Sequence, residues 1–231
     1  MRFFLFSLVV FISACGSTNN EELAIENVKP SQDYIVGIDR KVSGKYLHEY
    51  ANIWWQWTKT MPKQESPVID RTGLKCHVNQ SGDVWFLAGG YGSSKISRKC
   101  TIPEGKHIFF PVINMVYWPN KGAKLSCNSV KESAALNNDK LLSINVQLDG
   151  QKIPEASDYR IESNQCFDLL GLIPAKYNVP KVYPTATDGY WLMLKPLPIG
   201  KHKLKFSAQY NRPDGAYGDM AQDIEYEIEV M

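Results

Sequence analysis

Histidine and carboxylate side chains are the groups in this chain that could perform acid–base chemistry. His77 and His107, with Asp70 or Asp83 as partners, are the first candidates for an exported hydrolase. No G-x-S-x-G, H-E-x-x-H or Walker motif accompanies them. Because catalytic residues can converge from distant positions, a hydrolase stays open as an alternative. The sequence favours a binding protein over an enzyme.

Metal-ligand patterns are also incomplete. The four histidines are scattered singly and no C-x-x-C spacing exists, so a zinc site is not expected. Asp214, Asp219 and Asp223 lie near two glycines and could offer oxygen ligands to calcium, but the EF-hand spacing is not met. A solvated loop explains these carboxylates better. The sequence predicts no metal and no cofactor.

Aromatic side chains are the best candidates for contact with a ligand, because the apolar faces of sugar rings stack on Trp and Tyr. Four of them are predicted to bind: Trp55, Tyr91, Tyr117 and Trp118. The last two precede a Pro-Asn-Lys-Gly segment, which places them at a strand end beside a loop. Trp55 lies off the apolar stripe of a predicted helix, so it is either an exposed contact or covered by a loop. Tryptophans within apolar segments are expected in the core: Trp54, Trp57, Trp85 and Trp191.

The N-terminal residues predict export. Met1 and Arg2 precede an apolar run over residues 3–12 that is too short to span a bilayer. The run leads into Ile-Ser-Ala-Cys, ending at Cys15, which resembles a bacterial lipobox. Cleavage would remove residues 1–14 as a signal peptide and leave a lipidated cysteine as the new N-terminus. An ordinary signal peptide with a chance cysteine is the alternative.

The segment after this cysteine indicates how the domain is attached. Gly16 stands where Asp would favour the inner membrane, so the outer membrane is expected. Residues 15–40 are predicted to be a flexible tether between lipid and domain. The protein is therefore expected in the bacterial cell envelope, facing the periplasm or the cell surface, with the membrane as a partner through the lipid at Cys15.

The remaining four cysteines predict two disulfides, because an even number in an exported chain suggests complete pairing. Four cysteines allow three connectivities. We expect Cys76–Cys100 and Cys127–Cys166, since each of these pairs closes a local segment.

Composition narrows the class of protein. With 231 residues and 44% hydrophobic residues, the chain is too apolar to be disordered and too mixed for a polytopic membrane protein. The net charge is only +2 and no basic stripe is present, so nucleic acid is not an expected partner.

The patterns of the middle and C-terminal parts predict a mainly β protein. One amphipathic helix is predicted over residues 43–61, with Ser43 as N-cap and Pro62 as stop. After Pro67, short apolar strands alternate with Gly and Pro turns, and Asp70 is predicted to cap one turn. We expect residues 41–231 to form a single antiparallel β-sandwich, either jelly-roll or immunoglobulin-like, with this N-terminal helix.

Several segments together resemble a family of exported bacterial proteins of uncharacterised function. The likeness covers roughly residues 45 to 230, and it implies one unit that includes the helix. It implies no catalytic residues. The segments are Trp54-Trp55-Gln56-Trp57, Asp70-Arg71-Thr72-Gly73 with Cys76, Val84-Trp85-Phe86-Leu87-Ala88-Gly89, Cys100-Thr101-Ile102-Pro103 with Gly105-Lys106, Phe109-Phe110-Pro111-Val112-Ile113-Asn114 and Asp188-Gly189-Tyr190-Trp191.

The anchor, the strands and the aromatic residues together predict a lipid-anchored binding or interaction module of the cell envelope. Its expected partner is a glycan, peptidoglycan or an envelope protein. A structural or assembly lipoprotein without a small ligand, and an exported hydrolase on a β-sandwich, are the alternatives.

Overall fold

The computed structural model describes residues 34–210 and 218–231. The predicted signal peptide, Cys15, most of the predicted tether and Asp214 lie outside the described residues. The described part of the chain is mainly β, with few helices. Within the described ranges, no helix is both long enough and apolar enough to cross a membrane.

The first helix is shorter than predicted. Helix α1 covers Leu47–Trp57. It begins four residues later than expected because Ser43, with a positive φ of 45°, lies in the turn between strands β1 (Lys41–Val42) and β2 (Lys45–Tyr46). At the end of α1, the hydroxyl of Thr58 donates to the Trp55 carbonyl at 2.7 Å. This side-chain hydrogen bond satisfies a carbonyl in the last turn of the helix.

Nine further strands and one further helix follow along the chain. The strands are β3 Val84–Phe86, β4 Ser94–Ile102, β5 His107–Tyr117, β6 Leu141–Leu148, β7 Gln151–Lys152, β8 Arg160–Glu162, β9 Ala186–Leu194, β10 Gly200–Tyr210 and β11 Met220–Val230, and helix α2 is Cys127–Ala135. Short 3₁₀ turns cover Lys63–Glu65, Asn138–Lys140, Ala156–Asp158 and Ala175–Tyr177.

The larger strands form two sheets of mixed direction. The five-stranded sheet has the order β4-β11-β10-β6-β7 and the four-stranded sheet the order β3-β5-β9-β8. The prediction of purely antiparallel sheets is wrong, because β4 pairs with β11, and β3 with β5, in parallel. Parallel neighbours need a connection that crosses over, and the alternation of apolar residues within a strand carries no information about its direction.

Two apolar clusters surround the four-stranded sheet. On one side it packs against the five-stranded sheet, where the rings of Phe110 and Phe206 lie 4.9 Å apart. On the other side it packs against α1, where Trp191 lies 5.3 Å from Phe109 and 5.4 Å from Trp54, measured between ring centroids. Strand β9 lies between both clusters, and all nine of its residues are buried. The four tryptophans predicted for the core are all buried, which confirms that prediction.

Both predicted disulfides are present. Cys76 is bonded to Cys100, and Cys127 to Cys166. The first joins the loop before β3 to strand β4, and the second joins the start of α2 to the segment after β8. The pairing of nearest cysteines along the chain is therefore confirmed.

Candidate ligand-binding groove

A cavity of about 700 Å³ opens along the edge and outer face of the five-stranded sheet. Strands β4, β11 and β10 contribute its floor, residues 73–77 border it beside β4, and Asp149 borders it beyond β10. We call this cavity the outer-sheet groove. Its volume lies within the range of about 300–1,000 Å³ that is typical of ligand sites.

The outer face of the five-stranded sheet, which includes the floor of the groove, carries alternating charges. Because successive residues of a strand face opposite sides, the outward positions of β10 and β11 form neighbouring columns of opposite sign. The column on β10 is basic and the column on β11 is acidic. These outward residues are Lys201, Lys203 and Lys205 on β10, and Asp223, Glu225, Glu227 and Glu229 on β11.

Asp70 caps a turn in the loop beside β4, as predicted. Its carboxylate accepts backbone N–H groups of Thr72 and Lys75, each at 2.8 Å. Burial acts to raise the pKa of Asp70, but these hydrogen bonds outweigh it and lower the pKa below its usual value. At Gly73 the backbone passes so close to β4 that a Cβ atom would lie 1.9 Å from the Lys99 carbonyl oxygen. Asp70 therefore shapes the wall of the groove.

A buried arginine on β4 holds this loop through hydrogen bonds to its backbone. Arg98 lies on the inward side of β4 and is 1% exposed. Its guanidinium donates to four carbonyl oxygens and one phenol, at distances of 2.7 to 3.2 Å. The acceptors are the carbonyls of Asp70, Ala88, Val68 and Gly89 and the hydroxyl of Tyr226. All five N–H donors of the side chain are thus used.

The two histidines of the groove differ in what they contact. His202 is held by oxygen atoms on both sides, with Nδ1 2.7 Å from Asp149 Oδ2 and Nε2 2.9 Å from the Pro198 carbonyl. His77 is exposed on the loop. His202 therefore supports the far wall, while His77 is free to meet a ligand.

The candidate residues for a hydrolase do not assemble. His107 is half-buried, burial lowers its pKa against the opposite effect of Asp83, and its Nδ1 has no hydrogen-bond partner among the described residues. Asp83 instead accepts the hydroxyl of Ser43 at 2.6 Å. Within residues 34–210 and 218–231, no carboxylate hydrogen-bonds to His77 or His107. Nor do three or more His, Cys, Asp or Glu side chains gather there in a group that could hold a metal ion.

Trp55 is buried against strand β9. It is 8% exposed, and its indole N–H donates to Thr187 Oγ1 at 2.9 Å. The segment after β8 packs across the helix: Ser163 donates to Asn52 at 2.6 Å and Gln56 donates to the Asp168 carbonyl at 2.8 Å. The prediction of an exposed contact at Trp55 is therefore wrong.

The four predicted aromatic residues do not share one platform. Trp55 and Tyr91 border the same small cavity, but its volume of about 20 Å³ holds about one water molecule. Tyr117 is half-buried at the end of β5. Trp118 is 40% exposed, and the ammonium of Lys59 lies 6.0 Å from its ring centroid. Tyr91 and Trp118 remain the accessible members of the set.

The sequence did not predict an ion pair on the other sheet between a buried carboxylate and a half-buried arginine. Asp188 on β9 is 2% exposed, and its carboxylate accepts two hydrogen bonds of 3.1 Å from Arg160. Burial raises the pKa of Asp188 to about 6, although the guanidinium acts in the opposite direction. Arg160 also donates to Asp139 at 2.6 Å. A sequence pattern does not show that an aspartate lies inside an otherwise apolar strand pair.

This shift predicts a pH dependence of stability. The pKa of Asp188 is about 6 in the folded state against 3.8 for an ordinary aspartate. The folded state therefore holds the proton more tightly, so the free energy of unfolding should fall as the pH rises from 4 to 6, by at most about 3 kcal/mol. Asp188→Asn should remove this part of the pH dependence. Urea unfolding of both forms at pH 4.5 and pH 7 measures it, and equal slopes with pH would contradict the assignment.

Comparison with known proteins adds little to this geometry. No protein-family model matches the sequence, and no curated protein matches it. Among solved structures, PbICP-C in complex with falcipain-2 is 12% identical with a TM-score of 0.27, over 65% of this chain and 100% of that chain. The solution structure of Amebosin is 9% identical with a TM-score of 0.19, over 60% of this chain and 98% of that chain. Scores this low carry no argument about fold or function.

Proposed function

We propose that this protein is a lipid-anchored binding module of the bacterial cell envelope, and that its ligand lies in the outer-sheet groove. The observation that carries the proposal is the groove itself, a cavity of about 700 Å³ on a sheet braced by a disulfide and a buried arginine. A site on rigid strands holds its contacts in a fixed geometry, which lowers the entropy lost on binding.

The two disulfides support an exported protein, because such bonds persist in oxidising compartments and are rare in the cytosol. Together with the predicted lipobox they favour attachment through Cys15.

Replacing Cys15 by serine should move the protein from the membrane fraction to the soluble fraction of lysed cells.

We propose a two-sheet β-sandwich of mixed topology as the scaffold of this module. The apolar cluster common to both sheets supports this arrangement. In this arrangement the five-stranded sheet keeps an exposed outer face, and the charged columns of β10 and β11 lie on it.

The chemistry of the groove favours a polar ligand that carries charge. Its outward side chains are lysines, glutamates and a threonine, whereas the accessible aromatic residues lie elsewhere. Of the three classes of partner that the sequence suggests, peptidoglycan combines hydroxyl, amino and carboxylate groups. A cell-wall polymer is therefore the partner that we favour.

Binding to purified cell-wall sacculi tests this proposal. The full chain, purified in detergent, is sedimented with sacculi, and the bound fraction is compared between Thr101→Arg and Ser97→Arg. Both residues face outward on β4, but only Thr101 borders the groove. A bulky side chain at Thr101 should reduce the bound fraction several-fold, whereas the arginine at Ser97 should leave it unchanged. Equal sedimentation of both variants and wild type would place binding on another surface.

A further inference from the structure

We infer that the outer-sheet groove recognises a peptide that carries a free ammonium and a free carboxylate close together, with the carboxylate at Lys201 and the ammonium at Glu229. This inference rests on the proposed function and names the part of the cell-wall polymer that is bound. Short peptides with amino-acid zwitterions are the component of such polymers that has this chemistry.

This inference rests on which charged side chains of β4, β10 and β11 form salt bridges with one another. Lys99 pairs with Glu227 at 3.2 Å, and Lys203 and Lys205 both pair with Glu225 at 2.9 Å. Each of these glutamates thus meets a cation from a neighbouring strand.

One cross-strand pair in the groove is left open. Lys201 and Glu229 are direct partners in the register of β10 and β11, and both are exposed. Direct partners have Cβ atoms about 5 Å apart, so an ion pair is within reach. In the described part of the chain, neither side chain makes a salt bridge within 4.0 Å. The charges of Lys201 and Glu229 are therefore available to a ligand that presents the opposite pair.

The surroundings of this open pair fit the rest of a short peptide. Thr101 is the neighbour of Glu229 on β4 and offers a hydroxyl. Leu74, which is 79% exposed, and His77 border the groove on the loop side. From β4 to β6 the sheet spans three strand spacings, about 14 Å, which matches about four extended residues. The groove is thus long enough for a tetrapeptide laid across the strands.

Desolvation argues against a neutral sugar at the same place. A neutral ligand that covered Lys201 and Glu229 would remove water from two charges without supplying opposite ones, and that is costly. A polyanion such as nucleic acid would meet the carboxylates of Glu227 and Glu229. A zwitterion satisfies both charges at once.

The probe is the cell-wall tripeptide alanyl-γ-glutamyl-diaminopimelate, whose last residue ends in a free amino-acid zwitterion. Calorimetric titration into the detergent-purified full chain gives the affinity, and amide NMR shifts locate the site. We expect shifts at groove residues of β4, β10 and β11. Lys201→Ala and Glu229→Ala should each weaken binding by about tenfold. Lys95→Ala is the matched control, because this lysine lies on the same face outside the groove lining.

Modified probes separate this inference from the proposed function. The tripeptide acetylated on the free amine of its diaminopimelate residue should lose binding, and Glu229→Ala should show no further loss with it. If neutral triacetylchitotriose shifts the groove amides and the tripeptide does not, the zwitterion inference is overturned while the groove function stands. If sacculi bind but neither probe reaches the groove and Thr101→Arg has no effect, both are overturned.

Discussion

Replacing Arg98 by leucine is expected to lower the free energy of unfolding by about 4 kcal/mol, because four carbonyl oxygens lose their hydrogen bonds to the guanidinium. The phenol of Tyr226 loses a partner in the same step but keeps its hydrogen bond to Ala88. Urea unfolding followed by tryptophan fluorescence measures the change.

Two comparisons show whether the loss comes from the hydrogen bonds. Arg98→Lys keeps the charge but has three donors in place of five, so it should cost about 2 kcal/mol. Lys95→Leu on the outward side of the same strand, with a side chain 89% exposed, should change stability by less than about 0.5 kcal/mol. A loss at Arg98→Leu no larger than at Lys95→Leu would contradict the role of the guanidinium in holding the loop.

Removing the Cys76–Cys100 disulfide is expected to lower both stability and ligand binding. The bond closes a segment with a sequence separation of 24 residues, and the loop-entropy estimate for that length is about 3.5 kcal/mol. Because both cysteines border the outer-sheet groove, the double variant Cys76→Ser, Cys100→Ser should also bind sacculi more weakly.

The second disulfide provides the control. Cys127–Cys166 has a separation of 39 residues and should stabilise by a similar amount, about 4 kcal/mol. It lies outside the groove lining, so the corresponding double variant should retain binding of sacculi at temperatures where it is folded. Equal loss of binding in both double variants would indicate that general destabilisation, not the wall of the groove, is responsible.

Local chemistry was predictable from the sequence where neighbours along the chain decide the outcome. The pairing of Cys76 with Cys100 follows from their proximity, and the turn at Asp70 follows from an acceptor placed before Thr and Gly. The burial of Trp191 follows from its place in an apolar strand. Each of these features depends on short separations or on composition within one element.

Features that depend on distant parts of the chain were not predictable in this way. Trp55 is buried because its indole meets Thr187 on β9, more than 100 residues further along the chain. The parallel pairing of β4 with β11 depends on the path of the whole chain. The outer-sheet groove forms only when three strands and a loop from four regions of sequence meet.

The inward position of Arg98 could have been predicted from the sequence. It lies in phase with Ile96, Cys100 and Ile102 on a strand whose outward residues are polar, so strand alternation places it on the inward side. A cation at an inward position requires hydrogen-bond acceptors. The alternation alone does not say that these acceptors are carbonyls of the neighbouring loop.

The loop at Asp70 also has a consequence for how separate molecules meet. Strand β4 is the last strand of its sheet, and an exposed last strand invites pairing with another chain. Here Thr72 accepts the N–H of Lys99 at 2.9 Å and Arg71 donates to the Lys95 carbonyl at 2.6 Å, so the loop occupies backbone groups along that border. Separate copies of the protein would thus be kept from joining their sheets into a continuous aggregate at this border.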